Sequence, residues 1–250
     1  VLKQMSGMYA VDLSGAIITN IPNEFFYNQN RIKYVKLPEG LETINASSFY
    51  GTGLNEIEIP SSVTSIGKES FRNSKIRSII FANNSQLETI GESAFYDCSL
   101  LKELSMPNSV TSIGSYTFYR CRNLHKLVFS DGLTSLPEYT CYENNSLAEI
   151  HFPSNLVSIG NGFMYGANSL KELYLPTSMR SIGRDAFAGL HTLKHLIIPE
   201  KLNSLGESAF HNSAGLEIVE LPSGVSSYSL TFQGCGSIKK IVCRAATPPS

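Results

Sequence analysis

The feature that most restricts the fold of this chain is a period. One largely aromatic position recurs as Phe26, Phe49, Phe71, Phe95, Phe118, Cys141, Met164, Phe187, Phe210 and Phe232, with successive gaps of 23, 22, 24, 23, 23, 23, 23, 23 and 22 residues. Units of this size cannot bury an apolar face alone, so a fixed spacing of this kind predicts a stack in which each unit leans on its neighbours. A second set of positions keeps the same period and reads apolar-x-x-apolar-x-apolar, as in Leu54, Ile57 and Ile59, or Leu101, Leu104 and Met106, or Leu170, Leu173 and Leu175. The alternation at its end predicts a short strand with one face inward. With Met8, Val11 and Leu13 at the start and Ile238, Ile241 and Cys243 at the end, eleven such strands bracket ten coils.

Proline follows the last strand residue at Pro38, Pro60, Pro107, Pro153, Pro176, Pro199 and Pro222, where a missing N–H harms the ladder least. An apolar pair comes next, such as Val63 and Ile66 or Leu202 and Leu205, and forms another wall of the core. Glycine follows that pair at positions 67, 91, 114, 160, 183 and 206, which calls for positive φ or a tight passage of the backbone. Asn45 stands at the equivalent place, and asparagine tolerates the left-handed region better than most residues. A small residue and the recurrent ring then close the unit, as in Ala94-Phe95 and Ala186-Phe187. They are expected in a short helical or 3₁₀ turn whose ring plugs the coil. At about 4.8 Å per strand, the eleven strands make a sheet on the order of 50 Å long.

A hydrophobic fraction of 42% is enough for such a core, and a formal net charge of -1 leaves no field that would draw in nucleic acid or an anionic membrane. No apolar run approaches the roughly 18 residues of a membrane-spanning helix. Residues Val1 to Met8 lack the pattern of a signal peptide, and a start at Val1 rather than Met points to a processed or shortened product. Cys98, Cys121 and Cys235 each follow the ring position by three residues, which suits small buried thiols better than a disulfide framework.

From Met106 to Leu127 the chain fits the string Ile-Pro-x-x-Val-x-x-Ile-Gly-x-x-x-Phe-x-x-Cys-x-x-Leu-x-x-Leu/Ile, and degraded copies cover residues 8 to 243. This pattern resembles the BspA-like class of leucine-rich repeats, and Ile241 to Pro249 is similar to the segment that closes such arrays in Bacteroides-type proteins. The resemblance implies one domain over residues 1–250, with 244–250 as an exit segment. Its fold would be an α/β-type repeat solenoid, a right-handed superhelix with a parallel concave sheet and short helical or irregular convex turns. It also implies an extracellular or bacterial cell-surface protein, often lipoprotein-anchored, and for some members adhesion to host matrix proteins or other cells. The family has no shared catalytic residues and no cofactor to carry over. The sequence departs from the pattern where Cys141 and Met164 replace the ring, Tyr228 replaces an Ile, Pro137 replaces the Gly, and Ala82 to Gln86 adds about two residues. Those coils are expected to stack less regularly.

Between the inward strand positions lie outward columns. Val128, His151, Tyr174, His195 and Ile197 would form an apolar and aromatic patch over coils five to eight, which is how protein-binding surfaces are composed. The alternative is that β-formers merely suit an exposed sheet. His151 and His195 invite a metal, yet no third ligand is fixed. Glu56, Glu103, Glu149 and Glu172, beside Lys102, Lys171 and Lys194, read as surface charge ladders rather than as a hydrolase pair, which needs a cleft. Tyr27, Tyr50, Tyr96, Tyr119, Tyr142 and Tyr165 each follow the ring position, interrupted by Arg72. They form either a row that meets sugars or proteins or a half-buried layer between turns. No P-loop, HExxH, EF-hand or nucleophile-elbow motif occurs. The expected function is therefore protein binding through the concave sheet, with carbohydrate binding or a spacer role as alternatives and an enzyme as the poorest choice. Exposed end strands would bring either end-to-end association or capping segments beyond this chain.

Overall fold

In a computed structural model, which describes residues 9–225, 228 and 230–243, the chain winds through about ten coils. Among the described residues, nineteen strands of two to four residues fall into two sets that alternate along most of the chain. The first set carries the predicted alternation. In Glu56–Ile59 the glutamates are exposed and the isoleucines buried, and the strand pairs in parallel with Ser78–Phe81, Ile57 opposite Ile79 and Ile59 opposite Phe81. Identical steps of about 23 residues thus place like on like, which is why one column of aliphatic side chains can serve every coil.

The second apolar wall is also hydrogen-bonded, as strand pairs only two residues long. Ser65 and Ile66 lie opposite Thr89 and Ile90, and the glycine after each pair donates back one coil, from Gly67 N to Ile44 O at 2.7 Å and from Gly91 N to Ile66 O at 2.7 Å. Of the two reasons for glycine there, close passage is correct. A Cβ on Gly91 would stand 2.5 Å from Lys68 N, and one on Gly206 would stand 2.3 Å from Arg184 N. None of these six glycines is left-handed, and neither is Asn45.

The expected helical turn is absent, since the described residues contain no helix. Overlapping β-turns take its place: around Phe49, Tyr50 N donates to Ser47 O at 3.1 Å and Thr52 N to Phe49 O at 3.3 Å. Ser47 and Gly51, two residues before and two after the ring, have φ of 54° and 63°. Left-handed residues flank the ring position in this way in every coil, from Glu24 and Asn28 to Leu230 and Gly234. A helix needs an unbroken right-handed run. Reversing the hand twice frees three N–H groups for the next coil: Ser47 to Lys68 O at 2.9 Å, Phe49 to Ser70 O at 2.7 Å and Gly51 to Arg72 O at 2.8 Å. This third column of cross-coil bonds continues as far as Asn212 N and Gln233 O. Cross-coil bonding over-determines a conformation that costs most residues energy.

The rings do plug the coils. Phe26, Phe49, Phe71, Phe95 and Phe118 are fully buried, with successive centroids 5.0, 5.0, 5.4 and 5.5 Å apart. Each stabilises the stack by about 1.5–3 kcal/mol through burial alone. One contiguous cluster of buried side chains runs from Ile21 to Cys235. All five cysteines are free. Cys98 Sγ donates to Phe71 O at 3.0 Å and Cys121 Sγ to Phe95 O at 3.1 Å, while burial pushes the Cys98 thiol up to about 12.

Irregularities fall where the sequence departs from its pattern. The expected single sheet of eleven strands is ten strands in three pieces. One break follows Ser78–Phe81, where Ala82 to Gln86 lengthens the turn. The second ladder breaks between Ser112–Ile113 and Ser135–Leu136, because Pro137 has no N–H to donate where Gly114 and Gly160 donate. The third break is at residues 171–175, which form no strand and share no backbone hydrogen bond with the strands on either side. Met8, the residues before it and the exit segment 244–250 lie outside the described residues. At the last described coil the inward position Ile241 is 57% exposed.

Candidate functional site

The outward columns of the first ladder are exposed as their alternation requires, and their apolar part is centred on Tyr174. That side chain is 76% exposed and Ile197 47% exposed. Leu170 and Leu173 remain buried, so the coil is anchored from below while its backbone at 171–175 stands clear of both neighbours. Two hollows result. One of about 540 Å³ is lined by Lys171, Tyr174, Lys194, His195, Ile197 and Pro199, among others. The other, of about 410 Å³, is lined by Glu149, His151, Phe152, Glu172 and Tyr174. Tyr174 forms a wall of both. Val128 lines neither hollow and joins the group only through its register opposite His151.

The opening has a cause in the core. Residue 163 belongs to the column that precedes the ring, filled by the small Ser48, Ser70, Ala94, Thr117, Thr140, Ala186, Ala209 and Thr231 and, in the first coil, by Phe25, which points outward and is exposed. There the hydroxyls bond back to the chain, as Ser48 Oγ does to Asn45 O at 2.6 Å. Phe163 instead drives a ring into the interior, 6.1 Å from Phe129, 5.9 Å from Phe152 and 6.0 Å from Phe187. With Met164 at the ring position, Phe163 supplies the coil's aromatic volume one position early; close-packed interiors respond to such a shift by displacement, and the strand of the next coil is the element that stands off.

Both histidines on this face sit against carboxylates. His151 Nε2 lies 2.6 Å from Glu149 Oε1, and Lys126 Nζ reaches the same oxygen at 2.7 Å. Hydrogen bonds from Lys126 and His151 hold the Glu149 carboxyl below its ordinary range. His195 Nε2 lies 3.1 Å from Glu220 Oε1. The Tyr174 hydroxyl donates to Glu172 Oε2 at 2.8 Å, which raises the phenol's pKa. Among the described residues no group of three or more His, Cys, Asp or Glu could hold a metal ion. Acids and bases elsewhere on the face pair across coils, as Lys194 and Lys239 do with Glu217 at 3.0 and 2.7 Å. Such exposed pairs contribute little stability. They keep the rim polar.

The tyrosine row forms a stack on the turn side. Tyr27 lies on Tyr50 at 4.7 Å, Tyr96 on Tyr119 at 4.7 Å, Tyr119 on Tyr142 at 5.0 Å and Tyr142 on Tyr165 at 5.0 Å. Arg72 does not interrupt it, because its guanidinium lies 4.1 Å from the centre of the Tyr96 ring. Tyr119 and Tyr142, inside the row, have both ring faces stacked on neighbouring tyrosines.

Comparison with known proteins places this architecture. The family model described as BspA type leucine-rich repeat region matches residues 19–144 and 134–247. Among solved structures, a leucine-rich repeat protein from Bacteroides ovatus is similar at TM-score 0.83 and 25% identity, over 94% of this chain and 61% of that one. The chain thus spans about three fifths of that protein's length. The pneumococcal vaccine antigen PcpA is similar at TM-score 0.60 and 24% identity, over 95% and 68% of the two chains. A leucine-rich cell surface protein from Faecalibacterium prausnitzii is similar at TM-score 0.53 and 17% identity, over 96% and 88%. No curated protein matches the chain.

Proposed function

We propose, from the premise that this chain belongs to the BspA-type leucine-rich repeat family, that it is a protein-binding module of a bacterial cell surface and that the opened face around Tyr174 receives the partner. The observation that carries this reading is a large aromatic side chain, 76% exposed, raised between two hollows. Tyrosine at the centre of a patch, with apolar Ile197 beside it and His–Glu and Lys–Glu pairs around it, is the composition of binding hot spots and their polar rims. A surface location is supported by the Faecalibacterium relative, described as a cell surface protein. No helix among the described residues is long and apolar enough to cross a membrane, so attachment would come from elsewhere. The face offers no convergent set of acid, base and nucleophile, and binding is the better account than catalysis.

Purified matrix and bacterial surface proteins, arrayed against the intact chain, provide the test. Tyr174→Ala with Ile197→Ser is expected to weaken any captured interaction at least tenfold, while Lys36→Ala and Glu58→Ala on the distant part of the same sheet leave it within twofold. An interaction indifferent to the first pair and lost with the second would place the binding surface elsewhere.

A further inference from the structure

On the turn side, the tyrosine row stops at Tyr165, where the next coil has Ala188. The ring of Tyr165 is stacked on one side by Tyr142, and no ring covers its other face. A hollow of about 370 Å³ begins there, walled by Tyr165, Asn145, Asn168, His191 and Asn212, with Gly166 and Gly189 among its lining. Both glycines are left-handed, with φ of 77°. That conformation does not demand glycine in this row, because Asn28, Asn73, Asp97, Arg120 and Glu143 adopt it at the equivalent position of other coils. What two consecutive glycines accomplish is a bare floor beside an aromatic wall.

The wall is polar and unoccupied by the protein's own bonding. The side chains of Asn145, Asn168, His191 and Asn212 make no hydrogen bond or ion pair within the described structure, and all four are exposed. Glu143 is different: Arg120 Nε holds it at 2.8 Å and Arg122 lies 3.8 Å away. Its charge is matched, so the hollow presents no free carboxylate to a cation, and its lining contains no Lys or Arg to draw an anion. Each amide presents a donor and an acceptor side by side, which suits hydroxyl groups that are themselves both. A flat apolar wall suits a face of C–H bonds. Two coil steps separate Tyr165 from Asn212, about 10 Å, the reach of a short oligosaccharide.

We propose that this hollow is a binding subsite for a neutral sugar, with a pyranose ring stacked on Tyr165 and its hydroxyls bonded to Asn145, Asn168, His191 and Asn212. It lies apart from the Tyr174 face and does not depend on the function proposed for it.

The test uses the intact chain with maltotriose, cellotriose, mannotriose, xylotriose and tri-N-acetylchitotriose as probes, followed by saturation-transfer NMR and titration at millimolar sugar. At least one should bind. Tyr165→Ala and the pair Asn168→Ala and His191→Ala should each weaken it at least fivefold. Gly166→Asn and Gly189→Asn, which each fill the floor with a residue the row already uses, should abolish it with an unchanged thermal midpoint. These two add atoms to a regular pattern, so they remain informative if Tyr165→Ala weakens the fold. Absence of binding by every neutral probe, binding that survives both filling variants, or preference for adenosine monophosphate or sialyllactose would overturn the assignment.

Discussion

Coils two to four and coils six to seven are built to one plan and end differently. In the first region a small residue precedes each ring, the rings of Phe49, Phe71 and Phe95 stack at 5.0 and 5.4 Å, and every glycine donates across the coil interface. In the second, Cys141 and Met164 stand where rings belong, and Phe163 takes a small residue's place. The interior stays filled, since Phe163 and Met164 are both fully buried, but the ring enters one position early and the ladder opens at residues 171–175. The lesson is that a solenoid tolerates aromatic volume in the wrong column by giving up surface hydrogen bonds rather than core burial. That ranking follows the energies: a buried Phe outweighs a backbone bond whose groups can turn to water.

This contrast can be broken or sharpened by substitution. The largest effect is expected from Phe95→Ala in the regular region, at about 3–5 kcal/mol of lost stability by denaturant unfolding, because rings above and below prevent collapse of the cavity. A loss under ~1 kcal/mol would mean that the stack is looser than its geometry. Next comes Gly91→Ala, at about 1–3 kcal/mol, since the new Cβ would meet backbone 2.5 Å away that no side-chain motion can clear. The paired change Phe163→Ala and Met164→Phe restores the common pattern in the irregular region. It should slow hydrogen exchange of the Leu173 and Leu175 amides about tenfold, the equivalent of about 1.4 kcal/mol, toward the protection of Ile57 and Ile59. Unchanged exchange would separate the opening from Phe163 and place its cause in the outer face. The smallest effect is expected from Ser208→Gly, where a left-handed residue with φ of 59° becomes glycine and the midpoint rises by a few degrees, for a gain of about 1 kcal/mol at most.

Much of this was legible beforehand, and the limits have physical reasons. Columns of Leu, Ile and Val at the period of one coil dictate the two walls, and Pro137 foretells its own break because the loss of an N–H is written in the residue. The turn column was misread as helical. The left-handed positions before the ring carry Glu24, Ser47, Tyr116 and Leu230, residues with no local preference for that region, whereas those after it carry Asn28, Gly51, Asn73, Asp97 and Asn212, whose preference is a signal of the turn. The former are imposed by bonds to the next coil. The opening at 171–175 is silent in its own strand, where Leu170, Leu173 and Leu175 keep the pattern intact, and is marked only by the departures at Phe163 and Met164 just before it. The candidate patch is read from its outward column, and three of its members, Tyr174, His195 and Ile197, line one hollow. The trough beside Tyr165 was missed because its signal is a pair of glycines one coil apart, and that signal has meaning only once the row they interrupt is known to be left-handed.

The third column of cross-coil bonds gives the molecule an electrical direction. In each coil three peptide groups of the turn point their N–H toward the following coil and their C=O toward the preceding one. Peptide dipoles of roughly 3.5 D aligned in this manner add rather than cancel, whereas those along the strands largely offset one another. A chain with no helix among its described residues thus carries along one flank the axial polarity usually credited to helices, positive toward later coils and negative toward earlier ones. Each repeat added to the array lengthens that polarity.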